Sequence, residues 1–212
     1  MISPDNSDLP PAYILAGGRS SRFPGDKALA NVGGQPQLKS LISQLHQQGY
    51  QTTVVADRTD RYRQLGIDSL VDLYQESGPL SGITTALQDL QDRLGEGWLL
   101  VLTCDQLKWK NIWLQKFRSL CAGNSKPRQF EIIAWGDQHT PAQTPLTLIP
   151  GLYHSSLLPE LHQRCQQGQL AVRSLMQDSK VRIHVDTTQS VSPGAYTFNT
   201  PEQLQSLIKG TS

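Results

Sequence analysis

Short, almost wholly apolar runs alternate with stretches whose apolar residues recur at helical spacing, and this alternation narrows the fold more than any other feature. Ala12-Tyr13-Ile14-Leu15-Ala16 reads as a buried strand feeding a glycine-containing loop. Leu38, Leu41, Ile42 and Leu45 then fall on one face of a helix, which Gly49 is placed to stop. Thr52–Ala56 reads as the next strand. Leu80, Ile83, Leu87, Leu90 and Leu94 form a second helical stripe, closed by Gly95 and Gly97, before a third strand at Trp98–Thr103. Ile112, Trp113, Phe117 and Leu120 mark a third helix, and Phe130–Trp135 a fourth strand. Strands apolar on both faces need helices on both sides. The pattern therefore predicts an α/β fold, a three-layer sandwich around a mostly parallel, doubly wound Rossmann-like sheet. Ligands bind beyond the carboxyl ends of such strands, so the loops after Ala16, Ala56 and Thr103 are predicted to line one crevice.

The last third is broken by Pro141, Pro145 and Pro150. Thr144–Ile149 and Val181–Asp186 read as strands, and Leu157, Leu158, Leu161 and Cys165 as a helical face. The final helix is well specified: Thr200 as N-cap, Pro201 at the first helical position, Gln203 completing a capping box, and Leu204, Leu207 and Ile208 as its apolar side.

A net charge of +1 gives no global reason to expect nucleic acid as a partner. The longest apolar run, Trp98–Leu102, is too short to cross a bilayer. Residues 1–11 carry two acidic residues and no apolar core, so they read as a flexible lead-in rather than a secretory signal. The three cysteines, Cys104, Cys121 and Cys165, show no zinc-binding spacing and read as reduced thiols of a cytoplasmic protein. His46, His139, His154, His162 and His184 show no ligand spacing either. The four tryptophans read as packing, with Trp135 and Tyr196 the aromatics to inspect for contacts with a second substrate.

The segment richest in chemistry follows the first strand: Leu15-Ala16-Gly17-Gly18-Arg19-Ser20-Ser21-Arg22-Phe23-Pro24-Gly25-Asp26-Lys27. Adjacent glycines let backbone approach a ligand without a Cβ clash, and exposed N–H groups of such a turn bind phosphate oxygens. Arg19, Arg22 and Lys27 add cations, and Ser20 and Ser21 add donors. Neither a Walker loop nor a dinucleotide fingerprint fits the spacing. A basic, glycine-rich connection without ligand is the plain alternative; three cations after a buried strand favour a triphosphate.

Leu15-Ala-Gly-Gly-Arg-Ser-Ser-Arg, followed by Asp26-Lys27-Ala28-Leu29 and Gly34-Gln35-Pro36, resembles the opening of the molybdenum cofactor guanylyltransferases, LAGGxSxRMGxDKxL…GxPL. These belong among the nucleotide-diphospho-sugar transferase-like nucleotidyltransferases. Further landmarks resemble the family in order: Asp72, Gly78-Pro79-Leu80-Ser81-Gly82-Ile83, Thr103-Cys104-Asp105, Pro145-Leu146 and Phe198-Asn199-Thr200-Pro201-Glu202. The resemblance implies a nucleotide held by Leu15, Ala16, Gly17, Gly18, Lys27, Asp72, Gly78, Gly82 and Asp105. It implies Arg22, Lys27 and Asp105 as the catalytic set, Mg²⁺ on Asp105, and an acceptor met by Pro145, Leu146 and Asn199. Residues 12–212 would form a single domain, with a nucleotide-binding half over about 12–107 and an acceptor-binding half over about 108–212.

The implied reaction is transfer of GMP from Mg-GTP to a molybdopterin-type cofactor with release of pyrophosphate. Other cofactor-biosynthesis proteins and molybdoenzyme chaperones are the implied protein partners; nucleic acid and membrane are not. A carboxylate such as Asp72 can accept from the N1–H and N2–H₂ edge of guanine, a donor pair that adenine and cytosine lack. Arg-Met-Gly-x-Asp-Lys, Cys-Asp-x-Pro and NxNTPE are altered at Pro24, Leu107 and Thr197. A cytidylyl or sugar-phosphate nucleotidyltransferase, or a non-catalytic carrier of nucleotide or cofactor, stand as the alternatives.

Overall fold

In a computed structural model, which describes residues 9–18, 22–74, 78–110, 112–113, 129–136, 147–187 and 193–210, the apolar runs form one seven-stranded sheet. The strands are β1 (Ala12–Leu15), β4 (Thr52–Ala56), β5 (Ser69–Val71), β6 (Trp98–Thr103), β7 (Ile132–Trp135), β8 (Thr147–His154) and β9 (Ile183–Asp186), in the order β5-β4-β1-β6-β8-β7-β9. A two-stranded hairpin, β2 (Asn31–Val32) and β3 (Gln35–Pro36), stands apart. β5, β4, β1 and β6 run parallel; β8 is antiparallel to both β6 and β7, and β9 is parallel to β7.

Helices α1 (Gln37–Gln47), α2 (Gly78–Leu94), α3 (Leu158–Gln166) and α4 (Pro201–Lys209) follow the expected stripes. The period of two along each strand divides the core. Ile14, Leu100, Leu102 and Leu152 pack with Leu38, Leu41 and Leu45 of α1, whereas Tyr13, Leu99, Val101 and Tyr153 pack with α2 and α3. This is the expected three-layer arrangement. No helix among the described residues is long and apolar enough to cross a membrane.

β7 and β9 each begin two residues later than expected, the β2–β3 hairpin is an addition, and β8 and β5 depart furthest from the sequence expectation. β8 does not stop at Ile149 but continues to His154. Its register with β7 jumps from Ala134↔Gly151 to Trp135↔Thr147, so Leu148, Ile149 and Pro150 form a bulge. Pro150 lacks an N–H, and the bulge is where a strand tolerates that loss. Gly151 completes it: a Cβ there would lie 2.1 Å from the Leu148 carbonyl oxygen. β5, only three residues long, has too little periodicity to stand out. The third predicted helix falls almost wholly outside the described residues.

Candidate active site

β1, β4 and β6 lie side by side and end at the same edge, so the loops that follow them meet. Gly17 packs against the end of β4, where a Cβ would stand 3.2 Å from the Asp57 nitrogen; Gly18 is open and exposed. Asp26 then caps a short 3-10 turn, Lys27–Leu29, by accepting from the Ala28 N–H at 3.0 Å. The cap turns Lys27 inward, to 9% exposure. Its ammonium donates to Asp105 Oδ2 at 2.8 Å and to Asn199 Oδ1 at 2.9 Å, with the Phe198 ring 5.9 Å away. Asp105 lies just past β6, and its other oxygen accepts from Thr103 Oγ1 at 2.5 Å.

The loop is braced by two residues that no motif announces. Tyr62 is fully buried, and its hydroxyl is shared between the Ala16 carbonyl at 2.5 Å and Asp26 Oδ2 at 3.0 Å. One side chain thus ties the start of the loop to its end. Arg61 donates to Asp26 Oδ2 at 3.0 Å and to Asp57 Oδ1 at 2.7 Å, fastening the same loop to the turn after β4. Burial pushes the Tyr62 hydroxyl well above its ordinary pKa, with the Asp26 carboxylate adding to the effect. Burial likewise pushes the Cys104 thiol up, reinforced by Asp105 and Asp26, so it is not a thiolate nucleophile at neutral pH. Arg61 and Tyr62 sit in a loop without pattern, and only the Asp26 of Asp-Lys hints that a partner is needed.

Asp72 follows β5 and donates its N–H to the Ala56 carbonyl at 2.8 Å. Its Oδ1 accepts from the hydroxyls of Ser81 and Thr85 on α2 and from the Tyr74 N–H. The carboxylate is therefore fixed rather than swinging free in a loop. Gly78 opens α2 with φ of 70°. Gly82 is buried under Leu15, where a Cβ would come within 2.9 Å of Leu15 Cδ2, so its absence of side chain lets α2 approach β1. Arg22 is exposed and has no charged partner among the described residues. Pro145 and Leu146, expected on the acceptor side, lie outside the described residues, as do Arg19, Ser20 and Ser21. Trp135 is 3% exposed and packs in the core against Trp109, which removes it as a ligand platform; Tyr196 is half-buried and carries the Lys110 ammonium over its ring.

The residues present fit a divalent cation. Asp105 and Asn199 offer hard oxygens of the kind such an ion takes, and both contact one cation, the Lys27 ammonium. Among the described residues there is no cluster of three or more His, Cys, Asp or Glu. Mg²⁺ does not require one, since it takes one or two protein oxygens and completes its shell with phosphates and water.

A sheet of this order, with a glycine-bearing loop beyond β1 and a lysine–aspartate pair at its carboxyl edge, suits a nucleotidyltransferase, the class to which the family model assigns the chain. The chain belongs to the MobA-like NTP transferase domain family, whose model matches residues 12–184. It is 29% identical over 201 residues to a probable molybdenum cofactor guanylyltransferase of Nostoc sp., covering 94% of this chain and 90% of that protein. A molybdenum cofactor guanylyltransferase of Photobacterium profundum is 29% identical over 195 residues, covering 91% and 92%. The crystal structure of a molybdopterin-guanine dinucleotide biosynthesis protein A from Archaeoglobus fulgidus superposes with a TM-score of 0.72 at 16% identity, covering 94% of this chain and 97% of that one.

Proposed function

We propose that the protein transfers GMP from GTP to a molybdopterin-type cofactor, giving the guanine dinucleotide form and pyrophosphate. The observation that carries this reading is the meeting of Lys27, Asp105 and Asn199 at the carboxyl edge of β1 and β6. Full-length relatives named for the same activity support it.

Gly17 and Gly18 offer backbone to the triphosphate, and Arg22 and Lys27 supply positive charge. Asp72, held by Ser81 and Thr85, accepts from the guanine edge. Asp105 would hold Mg²⁺, which would neutralise charge on the phosphate oxygens. The acceptor's terminal phosphate oxygen attacks the α-phosphorus of GTP; one P–O bond forms, the α–β bridging bond breaks, and pyrophosphate leaves. Lys27 stabilises the charge that develops on the departing oxygens. The chain's contribution is orientation and charge, with no covalent intermediate on the protein.

The reading is tested by thermal unfolding with Mg²⁺ and GTP, CTP, ATP or UTP. A ligand at ~100 times its dissociation constant adds about 2.7 kcal/mol of stability. A rise with GTP well above the others is expected. A larger rise with CTP would transfer the assignment to cytidylyl chemistry, and no rise with any nucleotide would overturn the triphosphate site.

A further inference from the structure

Gln106 follows Asp105 directly and is fully buried. Its backbone N–H donates to the Thr103 carbonyl at 3.0 Å, and its carbonyl accepts from Gln37 Nε2 of α1 at 2.6 Å. Its side-chain Nε2 donates to two carbonyls, Lys108 at 2.7 Å and Pro193 at 3.0 Å. Pro193 opens the segment that ends at Asn199. The same two stretches also pair through their backbones: Phe198 N–H to the Asp105 carbonyl at 3.3 Å, Leu107 N–H to the Tyr196 carbonyl at 2.8 Å, with Gln106 opposite Thr197. Leu107 and Thr197, two positions where the sequence departs from the family pattern, therefore lie on the two paired stretches, each next in sequence to the residue that pairs with the other. A proline at 107 would have no N–H to give Tyr196.

We propose that Gln106 is a positioning residue for nucleotidyl transfer. Its side-chain amide holds residues 193–199 against the Asp105 turn, so that Asn199 faces Lys27 and Asp105. The chemistry of the argument is hydrogen-bond accounting. Gln106 supplies donors to two carbonyls in a buried setting, and without its side-chain amide the Pro193 and Lys108 carbonyls each lose that donor and the segment loses this anchor. The backbone pairing between the two stretches is one isolated bridge with two hydrogen bonds. The inference rests on the reading of Lys27, Asp105 and Asn199 as the reacting site.

The test compares Gln106→Met with Gln48→Met. Gln48, the residue just past α1, makes a similar bond, Nε2 to the Trp109 carbonyl at 3.1 Å, but away from Asp105. In the ligand-free protein, amide hydrogen exchange across 193–199 is expected to quicken about tenfold in Gln106→Met and to stay unchanged in Gln48→Met. In the transfer assay with GTP and molybdopterin, Gln106→Met is expected to lose about a hundredfold in kcat with the KM for GTP little changed. Gln48→Met is expected to keep both constants. Equal exchange in the two variants overturns the proposal. So does a quickened exchange accompanied by a kcat no lower than that of Gln48→Met. A wild-type protein inactive with every nucleotide would instead sink the transferase reading, while the exchange comparison still decides whether Gln106 anchors the segment. If Gln106→Met does not fold, Gln106→Asn, one methylene too short to reach Pro193, takes its place.

Discussion

Lys27 reaches both Asp105 Oδ2, at 2.8 Å, and Asn199 Oδ1, at 2.9 Å, joining residues 78 and 172 positions away in the chain. Three stretches that the sequence presents separately become one site through a single ammonium. Replacing it with an uncharged side chain of similar length, Lys27→Met, should remove charge stabilisation in the transition state. The expected loss in kcat/KM is about 10²–10³, or roughly 2.7–4 kcal/mol. Steady-state kinetics on the folded variant checks it, with circular dichroism confirming that the fold persists.

Tyr62→Phe removes one oxygen and leaves the Ala16 carbonyl without its donor. A buried acceptor left unpaired costs about 1–3 kcal/mol, which urea denaturation would read as a lower midpoint at unchanged slope. Because the hydroxyl ties the two ends of the glycine loop, nucleotide affinity should fall as well. An unchanged affinity would mean that the loop is held by Arg61 and Asp26 alone.

Asp57 links this loop to acid stability. Its carboxylate is half-exposed, and although burial by itself would raise its pKa, the hydrogen bond and charge of Arg61 hold it below the ordinary carboxylate value. A depressed native pKa contributes stability that is present above the unfolded pKa and is lost as pH falls through the native one. Stability of the wild type should therefore fall as pH drops below about 4, and Arg61→Ala should flatten that part of the curve. Denaturant melts at several pH values in that window would show it.

Asp72→Asn keeps the shape of the side chain and weakens its acceptance from guanine. Hydrogen bonds to a charged group are worth about 1.5–3 kcal/mol, so the affinity for GTP should drop roughly 10–100-fold and the preference over ATP should shrink. Thermal shifts with both nucleotides measure the two effects together. Equal loss for GTP and ATP would place Asp72 in loop support alone.

Gly151→Ala tests the bulge in β8. The added Cβ meets backbone, the Leu148 carbonyl at 2.1 Å, which cannot swing aside as a side-chain tip would. A cost of about 3 kcal/mol or more is expected, read as a lower unfolding midpoint.

Regular elements were the legible part of this fold. Thr52–Ala56 and Trp98–Thr103 match the observed strands to the residue, because each carries a short run of buried apolar or β-branched residues between helical stripes. β8 was harder to read, since a proline inside a run argues against a strand until the bulge that accommodates it is seen. In the site, Lys27 stands out because a cation in a glycine loop carries its chemistry locally, and Asp105 stands out through the Thr103-Cys104-Asp105 resemblance to the family. Tyr62, Arg61 and Gln106 do not. Their roles come from hydrogen bonds to distant backbone or to a distant carboxylate, and such partners leave no spacing in the sequence. Gln203 shows the same limit on a small scale. It was expected to bond the Thr200 N–H, yet its side chain accepts from Asn199 at 2.7 Å and so reaches one residue further toward the site.

The most direct measurement follows the label from GTP carrying ³²P at the α-phosphate, incubated with the protein, Mg²⁺ and molybdopterin. Label should move into a molybdopterin guanine dinucleotide with an equal yield of pyrophosphate, and the rate of both should fall about 10²–10³-fold in Lys27→Met. Label that stays in GTP with wild-type protein and an intact acceptor, or transfer from CTP in preference to GTP, would contradict guanylyl transfer as this protein's reaction.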